Sequence, residues 1–310
     1  MNGLQPGAIV SIGNINFNGE SMITVVLNAF KRQQYLKQQI DCVLSQTVPA
    51  ERVLIWNNGE ELDLHGYGDK VMVANNSHNL GVWSRFAYAI NAETEYVCML
   101  DDDTFPAPRF FESCLQQMAR EPALLGARGL RFLSPARYHP FVSFGWDAPN
   151  EKAEVVDIVG HAWFFKREWL GAFWRELPPL GTSRLVGEDM HFSFMLQKHL
   201  GICTMVPPHP ESDPAIWGSD PELAMKLGTS KEAVSQGDEA LQKFDTALRH
   251  CTSNGFLLCK DGAGAASAGL VIGPGVTRIR FIKRLAAKYP RLGNWGRALQ
   301  RKLAEKNIHI

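Results

Sequence analysis

The sequence predicts an α/β fold: a mostly parallel central sheet with helices on its faces. Three observations lead there. Short β-branched apolar runs alternate with segments whose apolar residues recur at helical spacing. Glycine and asparagine turn signals separate them. Polar residues collect at the ends of the apolar runs, the side of a parallel sheet where ligands bind.

In chain order, "MITVVLNAF" (22–30) reads as a buried strand ending in asparagine. "KRQQYLKQQIDCVLSQ" places Tyr35, Leu36, Ile40, Val43 and Leu44 at helical spacing, and "TVPAE" stops it. "RVLIWNNGEE" is a second strand closed by a turn at Asn58-Gly59, and "KVMVANN" is a third. "GVWSRFAYAINAE" reads as a helix, and "YVCML" as a fourth strand running into Asp101, Asp102 and Asp103. The second half is less regular. "VVDIVGHAWFFKREWL" (155–170) reads as a strand, a Gly-His turn, and a second strand or helix start. "VGEDMHFSFMLQKHLGI" (186–202) reads as a helix with Glu188 and Asp189 in its first turn, where acids suit the dipole, and Gly201 as its stop. "GDEALQKFDTALRHCTSNGFLL" (237–258) reads as another helix, and "DGAGAASAGLVIGPG" (261–275) as a flexible linker. The expected division is an N-terminal arm (1–22), a catalytic domain (23–262), and a Gly-rich linker with a basic amphipathic tail (263–310).

Composition narrows the class. Hydrophobic residues make up 45% and charged residues 21% of 310 residues, with a formal net charge of +0. Bulk charge therefore gives no reason to expect nucleic-acid binding. No apolar run approaches the ~20 residues of a membrane span. The start has no basic leader, so a secretory signal is not expected. The six cysteines are scattered without a C-x-x-C pair and are read as reduced thiols in a cytosol-like compartment.

Asp101, Asp102 and Asp103 pose the chemical question, because adjacent carboxylates repel one another. Oxygen ligands after an apolar strand suit a hard divalent cation, Mn2+ or Mg2+, holding a diphosphate; a polar loop or helix cap is the bland alternative. Asn28, Asn57, Asn58 and Asn79 fall at or just after strand ends, with the triplet. Glu188 and Asp189 are either capping acids or groups that orient or deprotonate an acceptor hydroxyl. Arg32, Arg85 and Arg249, if brought together, would neutralise a diphosphate. His209, in "MVPPHPESD", is either a further metal ligand or a structural loop histidine.

"TVVLNAFKRQQYLKQQI", "RVLIWNNGEE", "LDDDT" and "GEDMHFSFMLQKHLG" together resemble the nucleotide-sugar-dependent glycosyltransferases of the GT-A fold. The likeness covers about residues 23 to 262 and is nearest to the exostosin-like family, glycosyltransferase family 64. It rests on Trp56-Asn57-Asn58, Arg85-Phe86, Glu93-Thr94-Glu95, the triplet and the Glu188-Asp189 pair. Two features are instead those of family 2: a Glu-Asp pair where the exostosin-like pattern has two aspartates, and the Asn-x-Gly of "NLGVWSR".

The resemblance implies a sugar moved from a nucleotide donor, with uridine diphosphate expected, to a saccharide or lipid-linked hydroxyl. It places Asp103, Asp101 and His209 on the metal. It puts Asn28, Arg32, Asn57, Asn58, Asn79, Arg85, Asp101 and Asp102 on the donor, and Gly160, His161 and Trp163 on the acceptor side. Asp189, Glu188 and Arg249 carry the chemistry. Retention of anomeric configuration, as in the exostosin-like enzymes, is expected from Arg249. Inversion, as in family 2, is the alternative, with Asp189 as general base. A nucleotidyltransferase would need a glycine-rich phosphate loop, and "LNAFKRQQ" has no glycine. A saccharide-binding module without catalysis would not need the triplet and Asp189 together. The tail 277–307 carries ten basic residues against Glu305, with Trp295 among apolar residues at roughly helical spacing. It is a candidate for peripheral contact with an anionic inner membrane face; packing on the enzyme's own surface or on a second subunit is the alternative.

Overall fold

A computed structural model describes residues 11–12, 15–16, 22–228 and 238–261. Most of the expected arm lies outside the described residues, as do the linker and tail 263–310 with the candidate membrane segment 277–307. Among the described residues, no helix is long and apolar enough to cross a membrane.

A short antiparallel pair, β1 (Ser11–Ile12) and β2 (Ile15–Asn16), comes first. The four strands read from the first half follow as β3 (Ile23–Ala29), β4 (Arg52–Asn57), β5 (Val71–Asn75) and β6 (Tyr96–Leu100). Between them lie α1 (Leu36–Leu44), entered through a 3-10 turn, and α2 (Ser84–Tyr88), which runs into another such turn. The second half adds α3 (Phe110–Arg120), β7 (Leu124–Leu125), β8 (Arg128–Phe132) and β9 (Phe141–Gly145). Next come β10 (Glu154–Val156), β11 (Ile158–Gly160), β12 (Ala162–Lys166) and α4 (Leu170–Phe173). The described elements end with α5 (Glu188–Leu200), β13 (Thr204–Val206), α6 (Pro221–Gly228) and α7 (Asp238–Ser253).

Eight strands form the main sheet, ordered β10-β13-β7-β12-β6-β3-β4-β5. β3 pairs in parallel with β4 and β6, and β4 with β5. Ile23, Val25, Val26 and Leu27 are fully buried, which is why β3 reads as a β-branched, largely apolar run. β5 lies at the edge and leaves Met72 45% exposed. β12 runs antiparallel to β6, with Ala162 opposite Leu100. A smaller antiparallel sheet is ordered β11-β8-β9.

α5 starts after Gly187 at φ +94° and stops at Gly201 at φ +66°, a left-handed residue whose N–H donates to Gln197 O. Met190, Phe194 and Met195 of α5 pack with Leu130, Phe132, Ile158, Leu248 and Phe256. This apolar cluster fixes the helix start, and therefore Glu188 and Asp189, against the small sheet.

Candidate active site

Asn28 is the penultimate residue of β3, Asp101 follows β6, and His161 precedes β12; the pairing of these strands brings all three to one end of the sheet. Asp101 N–H donates to His161 O at 2.9 Å. A cleft of about 620 Å3 opens there. Its lining includes Asn28, Arg32, Asp101, Asp102, Asp103, His161, Glu188 and Asp189.

The turn that carries the triplet is tied down from α1. Gln39 is buried, and its Nε2 donates to Asp101 O (2.6 Å) and Thr104 O (2.8 Å). Thr104 N–H returns to Asp101 O at 3.1 Å. Two arginines offset the repulsion among the three acids. Arg32 Nη1 donates to Asp102 Oδ1 at 2.6 Å and lies 3.4 Å from Asp103 Oδ2; its Nη2 donates to Leu227 O in α6 at 2.8 Å. Arg85 is fully buried beneath the cleft. Its Nη1 donates to Asp101 Oδ1 (2.7 Å) and Asn28 Oδ1 (2.9 Å), and its Nη2 to Glu188 Oε1 (3.3 Å). Its guanidinium also lies 4.7 Å from the centre of the Trp163 ring.

Burial pushes the Asp102 carboxyl up to about 6, although Arg32 pulls the other way. Burial alone would raise Asp103 as well; His161 and Arg32 outweigh it and hold that carboxyl below the usual range. His161 is the counterpart: burial favours the neutral ring, but Asp103 holds its pKa above the ordinary value. Burial and neighbouring acids raise Glu188 against the pull of Arg85. Burial is also the largest influence on Asp189, pushing it up to about 6. The two carboxylates differ in surroundings. Glu188 is buried on Arg85, while Asp189 is half-buried, lines the cleft, and accepts one bond, from Met190 N–H at 2.7 Å.

Asp101, Asp103 and His161 offer ligand atoms that all lie within 4.8 Å of one another. His161 Nδ1 is buried, 3.2 Å from Asp103 Oδ1, and has no hydrogen-bond partner among the described residues. Two carboxylates and an imidazole nitrogen in such a group suit a divalent ion that accepts mixed O and N ligands, such as Mn2+. His161 holds φ +63°, uncommon for a residue with a Cβ.

Several expected residues stand elsewhere. His209 is fully buried and both its ring nitrogens are engaged: Nδ1 with Pro207 O (2.8 Å) and Nε2 as acceptor from Gly218 N–H (2.9 Å). The neutral ring has no lone pair left for a metal, and the histidine of the acidic cluster is His161. Asn57 is 1% exposed, and its amide knots the end of β4. Its Nδ2 donates to Glu60 O and Asn75 Oδ1, and its Oδ1 accepts from Gln33 and Gly59 N–H. That leaves nothing of it to meet a donor. Arg249 is exposed on α7, bonded to Ala136 O (3.4 Å) and Thr246 Oγ1 (3.3 Å), away from the cleft lining. Arg85 supports the carboxylates from below rather than lining the cleft. Asn58 and Asn79 do line it, joined by Asn58 Nδ2 donating to Asn79 Oδ1 at 3.1 Å. Gly160 and the buried Trp163 line it as well. Arg128, Tyr138, His139, Phe141 and Trp146 also line it, and the sequence reading missed them. The aromatic density of "RYHPFVSFGW" was the signal available.

Residues 21–174 match the family described as Glycosyl transferase family 2. Family 2 is the second of the two groups the sequence resembles; the match does not show the exostosin-like one. Several solved structures are similar, among them these three. One is S. aureus TarS 1-349 in complex with UDP-GlcNAc, 15% identical over 60% of this chain and 56% of that one, TM-score 0.42. Another is the mannosyltransferase PcManGT from Pyrobaculum calidifontis with GDP-Man and Mn2+, 16% identical over 93% and 87%, TM-score 0.43. The third is GalNAc-T7 with UDP, GalNAc and Mn2+, 11% identical over 74% and 55%, TM-score 0.49. The chain spans 56% of the length of the TarS fragment it matches. No curated protein matches it. The mostly parallel central sheet flanked by helices is the fold class the sequence predicts.

Proposed function

We propose that the protein is a metal-dependent glycosyltransferase that moves a sugar from a nucleotide donor, uridine diphosphate first among those to test, to a saccharide or lipid-linked hydroxyl. One observation carries this: Asp101, Asp103, His161 and Asp189 share one cleft at the carboxyl end of the parallel strands, in a chain whose residues 21–174 match a glycosyltransferase family. Asn28, Arg32, Asn58 and Asn79 would bind the donor. A divalent ion held by Asp101, Asp103 and His161 would offset the charge gathering on the departing nucleoside diphosphate.

Inversion is the favoured outcome. Arg249, on which the expectation of retention rested, lies outside the cleft lining, whereas Asp189 lines it. Asp189 then takes the proton of the acceptor hydroxyl. The acceptor oxygen bonds to the anomeric carbon while the bond to the diphosphate oxygen breaks. A pKa of about 6 leaves Asp189 mostly ionised at neutral pH and still basic enough to act.

The test is a thermal-shift panel of nucleotide sugars with and without Mn2+, followed by proton NMR of the first-formed product. The reading expects one donor to raise the melting temperature only with metal, and a product anomer opposite to the donor's. No stabilisation by any nucleotide sugar would end the reading, and a product of the donor's own configuration would end inversion alone. The ten-to-one basic excess of 277–307 supports the further reading that the tail holds the enzyme on an anionic membrane. Co-sedimentation of the full chain with anionic vesicles at low salt tests it; a chain left in the supernatant refutes it.

A further inference from the structure

One wall of the cleft plays no part in the chemistry above. It is carried by β8, β9, the segment between them and the turn at Trp146-Asp147 that follows β9. The Phe141 ring lies 4.7 Å from His139 and 5.6 Å from Tyr138. The Arg128 guanidinium sits 5.5 Å from the centre of Phe141 and 5.9 Å from that of Trp146. Trp146 meets His161 edge to face at 5.1 Å. An aromatic surface therefore runs outward from the acidic cluster along one side of the cleft.

Its polar groups are held in place. Arg128 Nε donates to Asp147 Oδ2 at 2.8 Å, and Ser143 Oγ reaches both Asp147 oxygens at 2.8 and 2.9 Å. Among the described residues the Arg128 Nη groups donate no hydrogen bond, and the residue lines the cleft. A flat aromatic face beside fixed donors and acceptors matches a pyranose, which presents C–H bonds on its faces and hydroxyls at its edge.

Charge selects among pyranoses. Arg128 and Asp147 cancel within the wall. Burial and Arg128 hold the His139 pKa below its ordinary value, so that ring is neutral at pH 7. Deeper in the cleft Asp101, Asp102, Asp103, Glu188 and Asp189 stand with Arg32, Arg85 and His161, and Lys31 also lines the cleft. An acidic sugar on the wall gains no net attraction there and meets carboxylates further in.

We propose that this wall is the acceptor subsite for an uncharged pyranoside, stacked on Phe141 with its hydroxyls on Arg128 and Asp147. The assignment rests on the glycosyltransferase reading.

The experiment is saturation-transfer NMR on the full chain with methyl glucoside, galactoside, mannoside, N-acetylglucosaminide and glucuronide, each titrated to ~50 mM, beyond the ~1 mM scale of a weak site. At least one neutral glycoside is expected to bind and the glucuronide to bind more weakly. Phe141→Ala should weaken the neutral glycoside at least ~10-fold and Phe141→Tyr by less than ~3-fold, since only the first loses the stacking face. Thermal unfolding verifies that each variant folds; should the alanine variant fail to fold, Arg128→Met takes its place with the same ~10-fold expectation. The proposal is overturned if no neutral glycoside binds, if the glucuronide binds as tightly, or if the test variant binds like the parent. Hydrolysis of nucleotide sugars by the parent separates the two levels. With hydrolysis intact only the wall assignment falls; with no donor turnover the glycosyltransferase reading falls as well.

Discussion

Arg85 holds the centre of the site together, and its removal can be put in numbers. Arg85→Met keeps much of the stem that packs on Trp163 and removes the charge. At 2.7 Å and an effective dielectric near 20, the gross attraction to Asp101 is about 6 kcal/mol. At 3.3 Å that to Glu188 is about 5 kcal/mol on the same scale. Desolvation of a fully buried guanidinium offsets much of both, so the net cost is that of breaking a buried pair, roughly 3–5 kcal/mol. The Asp101 side chain is 33% exposed, and water reaching it argues for the lower end, about 3 kcal/mol. For a domain of this size that lowers the melting temperature by roughly 6–12 °C. Urea unfolding followed by tryptophan fluorescence in metal-free buffer measures it. Lys70→Met serves as control: that pair with Glu51 is 54% and 47% exposed and should cost less than ~1 kcal/mol. Mn2+ should then raise the melting temperature of Arg85→Met more than that of the parent, because Asp101 has lost its counter-charge. A loss no larger than that of Lys70→Met would refute the view that Arg85 neutralises the site.

Three further outcomes are expected. Asp189→Asn keeps shape and removes the base; transfer should fall at least ~100-fold with the melting temperature little changed, measured by donor turnover in the presence of acceptor. His161→Ala should weaken Mn2+ binding at least ~10-fold by calorimetry, as loss of one of three ligands requires, whereas His209→Gln should leave Mn2+ binding within ~2-fold. Burial lowers the His209 pKa from 6.5 to about 4. The unfolded chain therefore takes up a proton that the folded one refuses, so this residue's contribution is complete above pH 6.5 and is lost as pH falls toward 4. The stability difference between parent and His209→Gln should shrink by about 3 kcal/mol across that window, and a flat difference would sink the assignment.

The strands of the first half could be read because burial on both faces writes itself as β-branched runs, as in Ile23 to Leu27. Asp101 to Asp103 and the Glu188-Asp189 pair were visible as acids directly after or before apolar segments. The partners of those acids were not. Choosing His161 over His209 depends on the register of β12 against β6, a pairing of residues about sixty apart in sequence. Arg249 had a local signal that went unused. Leu248 and Cys251 face the core, which turns the residue beside them outward on α7. Asn57 looked like a site residue because asparagines that build turns and asparagines that bind ligands occupy the same strand ends. The aromatic wall was unreadable in detail because β8, β9 and β11 are three to five residues long and meet only through tertiary pairing.

The chain leaves the main sheet after β7 and returns to it at β10, and both of these strands pair with β13. The segment 128–147, with its whole aromatic wall, lies on that excursion, while Asn28, Arg32, Asn58, Asn79 and Arg85 precede it. Departure and return are latched by one strand, β13, so the excursion behaves as an exchangeable cassette. If the proposed assignments hold, grafting another 128–147 between β7 and β10 would change the acceptor without rebuilding the residues assigned to the donor. Over evolutionary time the same separation lets one half of the specificity drift while the other stays under selection.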